Sequence, residues 1–284
     1  MNTNTESTQP TIPDQLQGTA QPMPLLYRHL VAVNNVTHAA LCINETPDYR
    51  VAAQVDALPL LASELGQALR HYPLAFLDTG PDSAPLLVAI TGLANGHNLF
   101  VDAQGRWLSG AYVPAYVRRY PWFAVQVHTQ GDLLLAMDDT ATQLNQEQGT
   151  SLFDEQGQPS ALLQQVMAFE REYRFWGLRT QAMVLALQQA QVLEPGQFTL
   201  TAHGGESRQL NGLLVVSETR LQQLTPETLL TLHSADALGL AYAQLMSMGN
   251  FVHLPVAVET VAPTVAKTPR KSRLSKSNHK QSAS

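Results

Sequence analysis

Apolar residues recur along this chain with two different spacings, and the spacing changes near the middle. In the first half they come in short runs broken by turn formers: Leu30 to Val33, Ala39 to Ile43, Val51 to Val55, Leu74 to Leu77, Leu86 to Leu93, Leu99 to Val101, Phe123 to Val127 and Leu133 to Met137. Runs of this length, bounded by pairs such as Asn34-Asn35 and Thr46-Pro47, predict β-strands. Asp102-Ala103-Gln104-Gly105 separates two apolar runs, and a glycine free to take a positive φ predicts a hairpin across Phe100 to Trp107. One helix is expected among these strands. Pro59 to Arg70 places Leu61, Leu65 and Leu69 on one face, with proline in the first turn and Tyr72-Pro73 as the stop.

The second half is spaced by threes and fours. From Ser160 to Gln191, the positions Leu162, Val166, Phe169, Tyr173, Trp176, Thr180, Val184 and Leu187 share one helical face. Glu170 and Arg174 stand one turn apart as an expected ion pair, Gly177 is the weak point midway, and Glu194-Pro195-Gly196 is the expected stop. Strands are predicted at Phe198 to Thr201 and Gly212 to Val216. Two helices follow: one has Thr225 as N-cap with Pro226 at its first position, and the other runs from Asp236 to Met248. The expected class is α+β, with mostly antiparallel strands in the first half and helices mainly in the second.

The flanks are too poor in apolar residues to pack. We expect a disordered N-terminal tail over residues 1–23, one α+β body over 24–258 and a basic disordered C-terminal tail over 259–284. Charge divides along the same lines. All four lysines lie after Val261, among six cations and no acids (Lys267, Arg270, Lys271, Arg273, Lys276, Lys280), so eleven arginines in the rest of the chain face all 23 acids. That acidic body argues against a nucleic-acid partner, and the tail has no aromatic residue for base stacking and no apolar face for a bilayer. No stretch approaches the roughly 18 to 20 apolar residues of a membrane span, so a permease is excluded. The polar start lacks a basic n-region and an apolar h-region, giving a cytoplasmic expectation.

Catalytic motifs are absent. There is no Gly-Lys pair for a P-loop, no Gly-x-Gly-x-x-Gly and no Gly-x-Ser-x-Gly, and His203-Gly204-Gly205-Glu206 has no nucleophile to serve. The nine histidines show no metal-ligand spacing, so no metal and no cofactor is expected. The single thiol, Cys42, excludes a disulfide framework and any multi-cysteine metal site, and its apolar run points to a buried, inert group. Asp138-Asp139 and Asp154-Glu155 are expected in solvated turns. One echo stands out, Arg70-His71-Tyr72-Pro73-Leu74-Ala75-Phe76 against Arg118-Arg119-Tyr120-Pro121-Trp122-Phe123-Ala124. Cations in a last helical turn followed by proline account for it by convergence of two helix-to-strand turns.

The densest feature is Phe100 to Phe123, with seven of the 19 aromatic residues. Tyr112, Tyr116 and Tyr120 are four apart, as on one helical face, beside Arg118 and Arg119 and near Trp107 and Trp122. Such a set suits a peptide, carbohydrate or carboxylate ligand, because aromatics give rigid contact and guanidinium forks hold anions. The same residues suit a core layer with tyrosine hydroxyls at its rim.

Here the chain resembles a known family. Gly-His-Asn-Leu-Phe-Val-Asp-Ala-Gln-Gly-Arg-Trp (96–107) and Tyr-Val-Pro-Ala-Tyr-Val-Arg-Arg-Tyr-Pro-Trp-Phe (112–123) are similar to the SapC family of bacterial S-layer-associated proteins. Supporting runs are Ser-Glu-Leu (63–65), His-Tyr-Pro-Leu-Ala-Phe (71–76), Leu-Phe-Asp-Glu-Gln-Gly (152–157), Asn-Gly-Leu-Leu-Val-Val-Ser-Glu (211–218) and Tyr-Ala-Gln-Leu-Met-Ser-Met (242–248). The resemblance implies an accessory role in surface-layer or secreted-protein production, with no reaction, cofactor or catalytic residue to carry over, and it does not reach the basic tail. The expectation is a soluble, non-catalytic binding protein for a surface or secreted protein, acting through Trp107, Tyr112, Tyr116, Arg118, Arg119, Tyr120 and Trp122. Two alternatives stand beside it. One is an enzyme on a peptide or small carboxylate, with His97, His128 and Asp102 as unpaired candidates. The other is a scaffold whose basic tail meets phosphate or anionic lipid. Oligomeric state is open.

Overall fold

A computed structural model describes residues 23–44, 46–80, 83–93, 96–126, 133–202, 207–254 and 258–263. It is a mixed structure, 35% helical and 23% strand, with antiparallel sheets mostly early and helices later. The strands are β1 (Leu30–Ala32), β2 (Cys42–Ile43), β3 (Ala57–Pro59), β4 (Leu74–Leu77), β5 (Leu86–Ile90), β6 (Trp122–Gln126), β7 (Leu133–Asp138), β8 (Leu144–Asn145), β9 (Thr150–Ser151), β10 (Leu193–Ala202), β11 (Ser207–Val216) and β12 (Val258–Pro263). The helices are α1 (Leu65–Ala68), α2 (Ala115–Arg118), α3 (Ala161–Gln189), α4 (Glu218–Gln222), α5 (Pro226–Ser234) and α6 (Ala237–Ser247). Every strand pairing is antiparallel.

Three sheets result. The largest has the order β12-β10-β11-β4-β5-β3, the second β1-β7-β6 and the smallest β8-β2-β9. Strand β4 is central in the first, and Leu74, Ala75 and Phe76 are all buried, which is why its sequence is an unbroken apolar run rather than an alternating one. Its first residue is bonded by α6: Ser247 Oγ accepts from Leu74 N at 2.9 Å, and Gln244 Nε2 donates to Leu74 O at 3.0 Å. Gln244 Oε1 also accepts from Val216 N at 2.9 Å, so these buried polar side chains replace absent ladder partners.

Two hydrophobic clusters follow from this layout. The larger gathers strands β3, β4, β5, β10 and β11 of the six-stranded sheet, the C-terminal part of α3 (Met183, Val184, Leu187) and α6 (Leu240, Ala241). The smaller gathers Ile43, Trp122, Leu135, Met137, Leu152, Phe153 and Leu163 under the two smaller sheets. Helix α3 touches both, and its length fits that task. Ser160 caps it through Leu163 N at 3.3 Å, and Gly177 lies inside it without a break. The hairpin at 100–107 is present, with Val101 bridged to Trp107 and Gly105 at φ +78°.

Four expected elements differ. Leu99 to Val101 is not a strand and holds only the isolated bridge from Val101 to Trp107. Val51 to Val55 is not a strand; it begins with a 3-10 turn, Arg50–Ala52. The helix expected from Pro59 starts later and is shorter, because Ala57–Pro59 pairs with β5 at the sheet edge, where proline's missing N–H faces no neighbour. A 3-10 turn, Ala62–Glu64, then leads into the single turn of α1. Pro195 does not end a helix but lies within β10, on the part paired with β11 alone. The ladder also runs past the expected tail boundary, since β12 pairs with β10 through Pro263. The remainder of the tails, His128 and His203 to Glu206 lie outside the described residues.

Candidate functional site

The turn after the 100–107 hairpin builds the site. Helix α2 is a single turn, with Pro114 ahead of it and Tyr120-Pro121 after it, so it cannot carry three tyrosines on one face. This corrects the expected stripe. Tyr112 precedes the helix, Tyr120 follows it, and only Tyr116 belongs to it. Tyr116 is buried and donates to Leu25 O at 2.7 Å. Trp107 and Trp122 are buried as well. The Trp107 Nε1–H donates to Tyr72 Oη at 3.1 Å, and Tyr72 in turn donates to Tyr112 O.

The two adjacent arginines point to opposite environments. Arg119 is buried. Its Nε donates to Glu170 Oε1 at 3.0 Å, its Nη2 to Glu170 Oε2, and its guanidinium lies 4.5 Å from the Phe123 ring centroid and 4.3 Å from that of Tyr173. Glu170 Oε2 also accepts from Ala124 N at 2.9 Å. Glu170 therefore does not pair with Arg174, which donates instead to Gln126 Oε1. A carboxylate at 2% exposure can be held inside only with such complete pairing.

Arg118 is exposed. Its Nε donates to Val113 O at 3.1 Å and its Nη2 to Tyr112 Oη at 3.0 Å, while the guanidinium lies over the rings of Tyr112 (5.7 Å) and Phe169 (5.4 Å). Among the described residues no carboxylate lies within 4 Å of it, and its Nη1 donates no hydrogen bond. Tyr112 donates onward to Glu64 Oε1 at 2.9 Å. Glu64 is buried and accepts also from Ala115 N (2.6 Å) and Leu61 N (2.8 Å). Burial raises its pKa above the usual glutamate value, against the lowering effect of those bonds. Burial likewise pushes Tyr112 up to about 12, so its phenol stays protonated at neutral pH.

Arg118 and Phe169 form a ridge between two hollows. The larger, about 490 Å³, is bounded by Ile43, Asn44, Thr46 to Tyr49 and Val51, by residues 117–122, by Gln143 and by Leu162, Gln165, Val166 and Phe169 of α3. Its lining draws Ile43, Trp122, Leu162 and Val166 from the smaller hydrophobic cluster and Tyr49, Val51, Val117 and Tyr120 from the larger. The cleft is thus the seam where the two clusters meet, within the size range of small-ligand sites. The smaller hollow, about 310 Å³, holds Glu64, Tyr112, Glu172 and Trp176. A more distant hollow of about 570 Å³ near Gln188 is lined largely by polar side chains, and its Arg220 is already engaged with Gln191 O, Leu193 O and Glu194.

Four of the seven residues singled out by sequence therefore line the cleft (Arg118, Arg119, Tyr120, Trp122), Tyr112 lines the adjoining hollow, and Trp107 and Tyr116 line neither. Sequence reading missed Glu64 and Gln143 and gave Glu170 the wrong partner, Arg174 in place of Arg119. The two glutamates leave one trace: each falls on or beside an apolar helical stripe, at i+3 from Leu61 and i+1 from Phe169.

The other candidates take ordinary roles. Asp102 organises the hairpin turn, accepting from Gln104 N and Arg106 N at 2.9 Å, and His97 is exposed with no bond to it. Asp138 is fully buried rather than solvated, accepting from Arg28 N and from Thr140. Asp139 meets His29 at 2.8 Å on the surface, away from the cleft. Cys42 is half-buried, 3.6 Å from Ser151 Oγ. Among the described residues no cluster of three or more His, Cys, Asp or Glu could hold a metal ion, and no helix is long and apolar enough to cross a membrane.

Fold and site together define an α+β protein with a ligand-sized aromatic and arginine-rimmed cleft at the junction of two cores. The chain belongs to the SapC family, whose model matches residues 33–254 and so spans both cores and the whole cleft. No curated protein and no solved structure matches it.

Proposed function

We propose that this SapC-family chain is a non-catalytic accessory module that holds a segment of a surface or secreted protein in the Arg118 cleft. The observation that carries the reading is Arg118 itself, a guanidinium fixed over two aromatic rings at the mouth of a largely apolar cleft, with no carboxylate within 4 Å of it among the described residues. The neighbouring titratable groups support binding over chemistry. Glu170 is spent on Arg119, Asp48 on Arg50, and Glu64 on three donors. The family resemblance supplies the surface-layer context.

The test is parallel affinity capture from lysate and envelope fractions with the full chain, its Arg118→Ala variant and an Arg70→Ala control. A specific envelope or secreted protein held by wild type and control but lost by Arg118→Ala is the expected result. Equal retention by all three, with the variants still folded by circular dichroism, rejects the reading.

A further inference from the structure

Resting on that reading, we propose that the segment taken by the cleft is a peptide bearing a bulky apolar side chain beside a carboxylate. Three unspent features of the cleft define this ligand. First, its walls are apolar and aromatic, from Ile43, Trp122, Val166 and Phe169, and suit one large apolar side chain. Second, Arg118 keeps its Nη1 without a hydrogen bond among the described residues, and the guanidinium is already oriented by Val113 O and the Tyr112 hydroxyl, so little side-chain freedom is lost when it meets an anion. Third, Gln143 Oε1 is a buried acceptor with no hydrogen-bond partner among the described residues, while its Nε2 donates to Asp48 O at 3.4 Å. A buried acceptor left open is costly and is satisfied by an incoming N–H.

The other charges among the described lining residues do not compete. Arg119 is neutralised by Glu170 and Asp48 by Arg50. On the far side of the ridge, Glu64 and Glu172 line the smaller hollow, which repels an anion there and leaves the larger cleft for the carboxylate. Apolar body, carboxylate and amide N–H occur together in a peptide. A fatty acid supplies the first two and leaves Gln143 Oε1 open.

Calorimetric titration of the full chain with acetyl-Ala-Leu-Glu-Ala-amide, its Gln counterpart and octanoate tests this. The Glu peptide should bind about tenfold or more tightly than the Gln peptide, as expected for a charge-assisted pair. Arg118→Ala should erase that difference, and Gln143→Met should weaken both peptides while keeping their order. Equal affinities in wild type, or a carboxylate preference that survives Arg118→Ala, overturn the proposal. So does octanoate binding as tightly as the Glu peptide. Absence of saturation at about 10 mM Glu peptide, too weak for a specific anchor, overturns it as well. The capture experiment keeps the two readings apart. Loss of partner capture in Arg118→Ala without peptide discrimination rejects only the ligand class, and peptide discrimination with unchanged capture rejects only the accessory role.

Discussion

The same heptad-length motif occurs twice in this chain and ends in two different kinds of place. In Arg70–Phe76 a short helix turns through Tyr72-Pro73 into β4, at the centre of six strands, and everything from Tyr72 to Phe76 is buried. In Arg118–Ala124 a short helix turns through Tyr120-Pro121 into β6, the edge of three strands, and Tyr120 is left half-buried in a cleft. The first turn is closed by Asn250, whose Nδ2 donates to Leu69 O at 2.6 Å and Tyr72 O at 2.9 Å. The second is closed from inside by Arg119 and Glu170 and by Tyr27, whose hydroxyl donates to Trp122 O at 2.6 Å. Local sequence sets the turn; the number of strands beside it sets whether the turn becomes core or site.

The largest expected effect is on the second turn's inner clamp. Glu170→Ala leaves Arg119 charged and unpaired at 6% exposure and should cost about 3–5 kcal/mol by chemical denaturation. Replacing both partners with methionine should recover most of that loss. A double variant as unstable as Glu170→Ala would mean that the backbone bond to Ala124 N, rather than the charge pair, carries the stability.

A smaller effect separates the two tyrosines. Tyr72→Phe removes the acceptor of the buried Trp107 N–H and the donor to Tyr112 O, and should cost about 1–3 kcal/mol. Tyr120→Phe should be near neutral, since its hydroxyl makes no hydrogen bond among the described residues. Equal losses in the two variants would erase the distinction between the core turn and the cleft turn.

Glu64 turns the difference into a pH slope. Because burial raises its pKa above the usual value near 4.5, the folded chain holds that proton more tightly than the unfolded chain does. Its contribution is therefore full below the usual value and lost as pH rises through the raised one. The stability of wild type relative to Glu64→Gln should fall as pH climbs through that window, and a constant difference would show that burial does not dominate. Asp48 acts in the opposite direction. Its hydrogen bonds to Arg50 lower its pKa below 3.8, so its contribution is lost only as pH falls through the lowered value.

What the sequence made legible was local. The hairpin at 100–107 rests on Asp102 and Gly105, α3 on its apolar stripe and Ser160, and α5 on Thr225 and Pro226, all within a few residues of what they organise. The edge strand β3 was hidden because only β5, some 30 residues on, makes Ala57–Pro59 a strand. Glu64 and the partner of Glu170 were hidden for the same reason, since Ala115 N and Arg119 each stand 51 residues away. Half of the cleft's rim was visible as an aromatic and arginine cluster. Its other walls come from Ile43, Gln143 and Leu162, which only the meeting of two cores brings together.

The smallest expected change in stability is also the one that isolates the cleft. Arg70 and Arg118 hold matching positions in the two turns, and both are exposed, so alanine at either should shift stability by no more than about 0.5 kcal/mol. Arg70 makes no side-chain hydrogen bond or ion pair among the described residues, whereas Arg118 is held by Val113 O, the Tyr112 hydroxyl and two aromatic faces. Side chains are ordered in this way at an exposed position either to brace the fold or to present a charge. Bracing predicts that Arg118→Ala lowers the denaturation midpoint clearly more than Arg70→Ala does. Presentation predicts matched midpoints and a loss confined to carboxylate binding. If the midpoints differ and binding does not, Arg118 is a strut between Tyr112 and α3, and the cleft loses its anchor.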